Sequence, residues 1–392
     1  MKKILVIGNT GLNSSNNSTN NRMKKIFEVM HHEYAFVFDY YQLREAVLEV
    51  DYIDYINKKA NASPIEALKF LLKREEKYEM VLAETFNAVI IAYFFALKTK
   101  TPFIWRQFGT TFNDELGFKN YFKPKILLKF LLHKLIANSS KCKAVVCTED
   151  GCANRTLYLN KLGMSPDKLY MVKNQRTAST LVNKEEVFSK DNVFKMVQIG
   201  RITSWKKIHL LIKAITHIQT THPKIAEKIE LDIIGQTQDS AYEARLTKEI
   251  KEHALDQQIH FKKNLEYDQI EKILATANLS ISLTAYNPII ESLQNETAVI
   301  TYEYGEIGKV FETCESVFIL AKNIKKSSFL SPEQESKIVK ELEEKLVELI
   351  EQPEVLNTLA KNAKLFVEDN FPLLDEHVKE ITNIYMKVVN AL

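Results

Sequence analysis

Glycine is scarce in this chain of 392 residues, which has only ten, and cysteine scarcer still at four. The loop after the first apolar run, Gly8–Asn21, lacks a G-x-G-x-x-G pattern because Leu12 and Asn13 stand where the later glycines are needed. This argues against a nicotinamide-dependent dehydrogenase. Cys142, Cys147 and Cys152 are spaced five apart, which matches no zinc-knuckle spacing. With Cys314 they make no disulfide framework, and they read as reduced thiols of a cytoplasmic protein. No metal and no cofactor is expected. Long apolar runs are missing as well. The most apolar segment, Ala88–Leu97, has about ten residues where a membrane span needs roughly twenty. The opening MKKILVIG runs straight into a glycine turn, without a secretory leader's apolar stretch. One further absence is local: no acidic residue occurs from Leu116 to Thr148.

The length calls for two domains. Net charge is only +3, yet residues 1–184 hold 28 Lys and Arg against 17 Asp and Glu, and the remainder is acidic. A basic half joined to an acidic half suggests that the first half faces an anionic partner. Short apolar runs alternate with helical periodicity. In the first half the strand-like runs are Lys3–Gly8, Val81–Ala83, Phe103–Trp105, Ala144–Cys147 and Leu169–Val172, with a helix over Ala88–Leu97. Thr148 and Asp150 are candidate caps for the helix after the fourth run. Apolar density falls from Thr177 to Asp191, the expected linker. The rhythm then restarts with strands at Phe194–Ile199, Ile229–Ile234, Ile259–Phe261, Leu279–Leu283 and Ala298–Thr301. Helices are expected at His209–Ile218, Ala241–Ala254, Tyr267–Thr276, after Pro288, and at Ser331–Glu351, Glu354–Asp369 and Leu374–Val389. Such alternation implies an α/β chain with doubly wound parallel sheets. The domains are expected at 1–184 and 185–372, with a last helix over 373–392 returning to the first. Carboxyl ends of both sheets would then face a cleft, where ligands bind in such sheets.

Two clusters stand at strand ends. The strand Phe194–Ile199 runs into Gly200 and Arg201, followed by Lys206 and Lys207 before the next helical periodicity. Arginine offers phosphate a planar fork of donors and lysine a compact charge. A solvated helix start is the plain reading of the lysines, but helix N-termini disfavour cations. The second cluster is LTAYNPIIES, Leu283–Ser292. Asn287 suits an N-cap and Pro288 the first helical position, so free N–H groups near Asn287–Ile290 would form an anion site. Glu291 falls in the first turn, either balancing the helix dipole or accepting bonds from ribose hydroxyls.

These residues resemble the retaining GT-B glycosyltransferases of glycosyltransferase family 4, the glycosyl transferases group 1. Gly200-Arg201-Ile202-Thr203-Ser204-Trp205-Lys206-Lys207 matches that family's G-R-h-x-x-x-K-G except at the last position. Leu231–Gly235 is similar to its following strand and glycine. Glu291 falls on the second Glu of its E-x7-E, while Leu283 stands at the first. Gly8–Gly11, Pro102–Gly109 and Tyr170–Asn174 resemble three first-domain motifs, with Phe108 in place of a usual His. Lys207, Gln175 and Glu296 replace family glycines. The resemblance implies retaining, metal-independent transfer of a sugar from a nucleoside diphosphate. It casts Arg201 and Lys206 as catalytic residues stabilising the departing diphosphate. Glu291, Asn287, Ile290, Gly11, Gly200 and Asn264 become donor-binding residues, and Arg106, Thr110 and Asn174 lie on the acceptor side. Lys206, not Lys207, is then the clamp.

Residues 118–143 interleave lysines with leucines and phenylalanines, which suits an anionic membrane surface bearing a lipid-linked acceptor. No nucleic-acid-binding motif accompanies the charge. The expected protein is a cytoplasmic, peripherally membrane-associated glycosyltransferase of bacterial surface polysaccharide biosynthesis. The alternative is a non-catalytic GT-B subunit that binds a nucleotide or partner protein, suggested by Leu283 and Phe108.

Overall fold

The computed structural model describes residues 2–8, 18–43, 50–57, 63–109, 123–149, 151, 154–177, 193–263, 265–284, 286–322 and 330–391. It divides into two compact units, one of Met1–Gln175 with Pro372–Leu392 and one of Arg176–Phe371.

In the first unit, strands β1 (Lys2–Gly8), β2 (Phe36–Gln42), β3 (Ile53–Tyr55), β4 (Met80–Glu84), β5 (Phe103–Gln107), β6 (Cys142–Glu149) and β7 (Leu169–Lys173) form one sheet in the order β3-β2-β1-β4-β5-β6-β7. Every pairing is parallel. Central strands of such a sheet are covered on both faces, so they read as unbroken apolar runs; Ile4–Ile7 are all buried. One face is covered by α1 (Ser18–Tyr34), and the C-terminal helix, which closes the chain at Leu374–Asn390, packs there too. The other face is covered by α2 (Pro64–Leu72), α3 (Thr85–Thr99) and α4 (Pro124–Ala137).

Strands β2 and β3, and helix α2, lie outside the sequence-derived elements. The buried Asp39 interrupts the apolar character of β2. Its partners come from elsewhere in the chain: Lys3 Nζ at 2.9 Å, Arg74 Nη2 at 3.3 Å and the Tyr78 hydroxyl, which donates at 2.7 Å. Burial, and then the neighbouring Asp39, push the Tyr78 phenol up. Thr148 is not a helix cap. It lies inside β6, and its hydroxyl accepts a bond from Arg106. Asp150 lies outside the described residues.

In the second unit, β8 (Phe194–Ile199), β9 (Ile229–Ile234), β10 (Ile259–Lys262), β11 (Leu279–Ile281), β12 (Ala298–Tyr302) and β13 (Val317–Leu320) form a parallel sheet in the order β10-β9-β8-β11-β12-β13. Strand β13 was not expected from the sequence. Its helices are α5 (Ile208–Thr221), α6 (Pro223–Ala226), α7 (Ser240–Glu252), α8 (Tyr267–Thr276), α9 (Asn287–Gln294), α10 (Ile307–Val310), α11 (Pro332–Glu351) and α12 (Val355–Asn370). The amphipathic α5 buries seven apolar side chains in this core. The closing helix Leu374–Asn390 is therefore α13 and belongs to the first unit. The strand order reverses between β8 and β11, and the crevice at their carboxyl ends is where open α/β sheets bind ligands.

Three thiols, Cys142, Cys147 and Cys314, are free and buried. Burial pushes Cys142 up to about 12 and Cys314 to about 11, as suits inert core thiols. Cys152 lies outside the described residues.

Candidate active site

The strand-order reversal in the second unit brings the two sequence clusters together. Gly200 and Arg201 leave the end of β8, and α9 begins six residues after β11 ends. Gly200 has φ +139°, a backbone conformation that favours glycine. Gly235, at the end of β9, has φ +151°, and a Cβ there would land on the Gly200 carbonyl oxygen. The two glycines let neighbouring strand ends close up, forming a floor without side chains.

Lys206 lies across this floor. A Cβ added at Gly200 would sit 3.2 Å from Lys206 Cε and 3.6 Å from its Nζ. The lysine ends a short 3-10 turn, Ser204–Lys206, and is 9% exposed. Thr284, just beyond β11, ties this turn down by donating to the Trp205 carbonyl at 2.9 Å, and Tyr304 packs edge-on against the Trp205 ring. Desolvation, and then the Arg201 charge, lower the Lys206 ammonium to about 8 against the opposing pull of Glu291. Glu291 is half-buried and raised to about 7, again chiefly by desolvation and against the pull of Lys206. Lys206 forms no ion pair among the described residues. The site is thus a cation and a carboxylate held within electrostatic reach but unneutralised, which suits an anionic, hydroxyl-bearing ligand.

Arg201 is exposed, and its Nη1 donates to Gln238 Oε1 at 3.0 Å. Asn287 is the first residue of α9, preceded by Tyr286 at the cap without a side-chain capping bond, so the expected N-cap is displaced by one residue. Pro288 is accordingly the second helical residue. Glu291 sits just beyond the first turn, not within it. Ile290 is buried in the core. Ser292 fixes α9 against β11 by donating to Ser280 Oγ at 2.8 Å. Leu283, at the first family Glu, is fully buried in the apolar core.

Lys207 and Glu296 replace two family glycines, and both adopt positive φ, +56° and +55°. Both backbones are left-handed, the conformation that favours glycine, although each residue carries a long side chain.

Arg106 and Asn174 belong to the first unit. Arg106 is fully buried, donating to the Val146 carbonyl at 3.0 Å and to Thr148 Oγ1 at 2.9 Å, with its guanidinium over Phe108. Asn174, also buried, accepts from Arg22 at 3.1 Å. Both are woven into the interior of that unit. Gly11, Thr110 and Asn264 lie outside the described residues.

Sequence reasoning missed Tyr267, the first residue of α8. Its hydroxyl bonds Thr177 Oγ1, and desolvation, with the Glu291 and Glu271 charges, raises it to about 12. No local motif marks it, because only the fold brings Tyr267 within electrostatic reach of Glu291.

Residues 180–366 match the family described as glycosyl transferases group 1. Over 331 residues the chain is 22% identical to an uncharacterized glycosyltransferase of Methanocaldococcus jannaschii, covering 80% of this chain and 76% of that one. Among solved structures it is similar to the sucrose-phosphate synthase of Thermosynechococcus elongatus, with TM-score 0.71, 12% identity and all of both chains covered. It is also similar to Anabaena HepE in complex with UDP-glucose, with TM-score 0.67 and 14% identity over 99% of this chain and 100% of that one. These likenesses establish the GT-B fold, two Rossmann-like parallel-sheet units.

Proposed function

We propose, from the match of residues 180–366 to the family described as glycosyl transferases group 1, that this chain moves a sugar from a nucleoside-diphosphate donor to a glycan or lipid-linked acceptor, with retention of configuration. The carrying observation is the desolvated Lys206 laid across the Gly200 floor beside Glu291. As the glycosidic bond breaks, negative charge gathers on the departing diphosphate. A preorganised cation in a dry site stabilises that charge far more than it stabilises the bound donor. Lys206 supplies it from the floor, and Arg201 closes on the outer phosphate after exchanging Gln238 for phosphate oxygens. Glu291 accepts hydrogen bonds from the ribose hydroxyls, and the N–H groups of Asn287–Ile290 approach the phosphates. No divalent cation is needed, since the two side chains provide the positive charge.

The HepE complex contains UDP-glucose, which makes uridine the first nucleotide to test. The acceptor belongs to a surface polysaccharide or glycolipid, met by a cytoplasmic protein at an anionic membrane through residues 118–143. No helix among the described residues is long and apolar enough to cross a membrane.

The test is nucleoside-diphosphate release from UDP-, GDP- and ADP-sugars by the full chain. Lys206→Ala is expected to lower kcat/KM by roughly 100- to 1,000-fold, Lys207→Ala only slightly, and EDTA to leave turnover unchanged. Equal losses in the two lysine variants refute the assigned roles. A nucleotide that binds while no donor is consumed favours instead the non-catalytic subunit, the reading suggested by the buried Leu283.

A further inference from the structure

Helices α2, α3 and α4 cover one face of the first unit, with α3 packed against both neighbours. Nine of the thirteen large apolar side chains that the described residues leave exposed lie on these three helices. The imbalance is sharpest on α4, which buries only His133, Ile136 and Ala137. It exposes Leu127 (42%), Leu128 (60%), Leu131 (52%) and Leu135 (54%). On α3, Phe94 and Leu97 are exposed at 44% and 49%. A patch of this kind marks an interaction site.

Its charge is predominantly positive. The only acidic residue on the three helices is Glu66, at the start of α2. Lys69, Lys98, Lys125 and Lys134 are exposed among the apolar side chains, with Lys129 half-buried between them. A second copy docking through the same face would set lysines against lysines, because a two-fold interface is self-complementary. Leucines flanked by lysines instead match a bilayer surface, where apolar side chains enter the acyl boundary and lysines meet anionic headgroups.

We propose that the α2–α3–α4 face is a membrane-docking surface for anionic phospholipid. It extends the basic window well beyond residues 118–143. The proposal deepens the functional reading above, from which it takes the lipid-linked acceptor, but the surface is argued from exposure and charge alone. Crossover helices of parallel sheets start at the carboxyl end of the preceding strand, so the Pro124 end of α4 lies on the side of the unit where its sheet binds ligands. Docking would therefore bring headgroup-level acceptors to that side.

The experiment is co-sedimentation of the full chain with phosphatidylcholine vesicles, with and without about one-third phosphatidylglycerol. Partitioning is expected on the anionic vesicles only, and to weaken as salt is raised. Each lysine contributes about fivefold, so Lys125→Gln/Lys129→Gln/Lys134→Gln lowers partitioning by about 100-fold. Leu128→Gln/Leu131→Gln lowers it by at least about tenfold through lost apolar insertion. Both variants keep wild-type nucleotide binding and thermal unfolding, which separates loss of docking from misfolding. Absence of binding to either vesicle, or binding indifferent to lipid charge and to these substitutions, overturns the proposal. So does a lipid-free dimer, seen by light scattering and dissolved by the leucine variant, because it assigns the face to a second copy. If vesicles bind as expected but no nucleotide sugar is consumed, the surface stands and the transfer reading falls.

Discussion

Replacing Lys206 by methionine keeps most of the aliphatic stem over Gly200 and removes only the charge. In the folded chain the ammonium is lowered from 10.5 to about 8, first by desolvation and then by Arg201. That difference corresponds to about 3 kcal/mol against the charged form. Because the unfolded chain holds the proton up to pH 10.5 and the folded chain only up to about 8, the penalty is fully present below pH 8. It fades as pH rises from 8 to 10.5, where both states become neutral. The substitution should therefore stabilise the ligand-free protein at pH 7. The gain falls somewhat below the full figure, about 2 kcal/mol, because Glu291 loses the cation that opposes its own upward shift. For a unit of this size it corresponds to a melting temperature raised by about 4–8 °C. The assay is thermal unfolding of both proteins from pH 6 to about 10.5, with nucleoside-diphosphate binding measured in parallel. Lys206→Met should melt higher at pH 7, converge with wild type at the alkaline end and lose nucleotide binding. A variant that is less stable at every pH, or that binds nucleotide as wild type does, refutes the idea of a desolvated cation held for an anion.

Glu291, raised from 4.5 to about 7, keeps its proton in the folded state where the unfolded chain has lost it. Donor affinity should therefore rise as pH increases through 7 and the carboxylate forms, and Glu291→Gln should flatten that dependence; a wild-type profile in the variant assigns the titration elsewhere. Lys207→Gly should stabilise the chain by up to about 1 kcal/mol, since the left-handed backbone costs a side-chain-bearing residue about that much. Glu296→Gly gains less, because it gives up a 3.6 Å ion pair with Lys364; a fall in melting temperature for Lys207→Gly contradicts the turn geometry. Gly235→Ala should lose soluble expression or at least about 3 kcal/mol, as its Cβ would strike the fixed backbone of Gly200. Wild-type stability in that variant would falsify the close approach of β8 and β9.

Local patterns carried far in this chain. Unbroken apolar runs identify central parallel strands because both faces of such strands are covered, and β1, β4 and β6 lie where Ile4–Ile7, Val81–Ala83 and Ala144–Cys147 stand. The motif from Gly200 to Lys206 needs only its own backbone to set strand end, turn and clamp in order, so it is readable from consecutive residues. Other features depend on partners distant in sequence. Asp39 disguises β2, since only the fold supplies Lys3, Arg74 and Tyr78 to neutralise it. The burial of Arg106 is likewise invisible locally, because the acceptors that satisfy it lie on the neighbouring strand β6.

The sequence by itself determined the α/β class, the parallel alternation and the identity of the residues at the end of β8, because these follow from periodicity and adjacency. Only the tertiary structure decided which of two adjacent lysines is buried, that Glu291 shares its electrostatic environment, and that Tyr267 lies within electrostatic reach of Glu291. Desolvation is a property of three-dimensional surroundings. Only the assembled sheet, by reversing its strand order between β8 and β11, brings Lys206 and Glu291 within electrostatic reach and withdraws Lys206 from water.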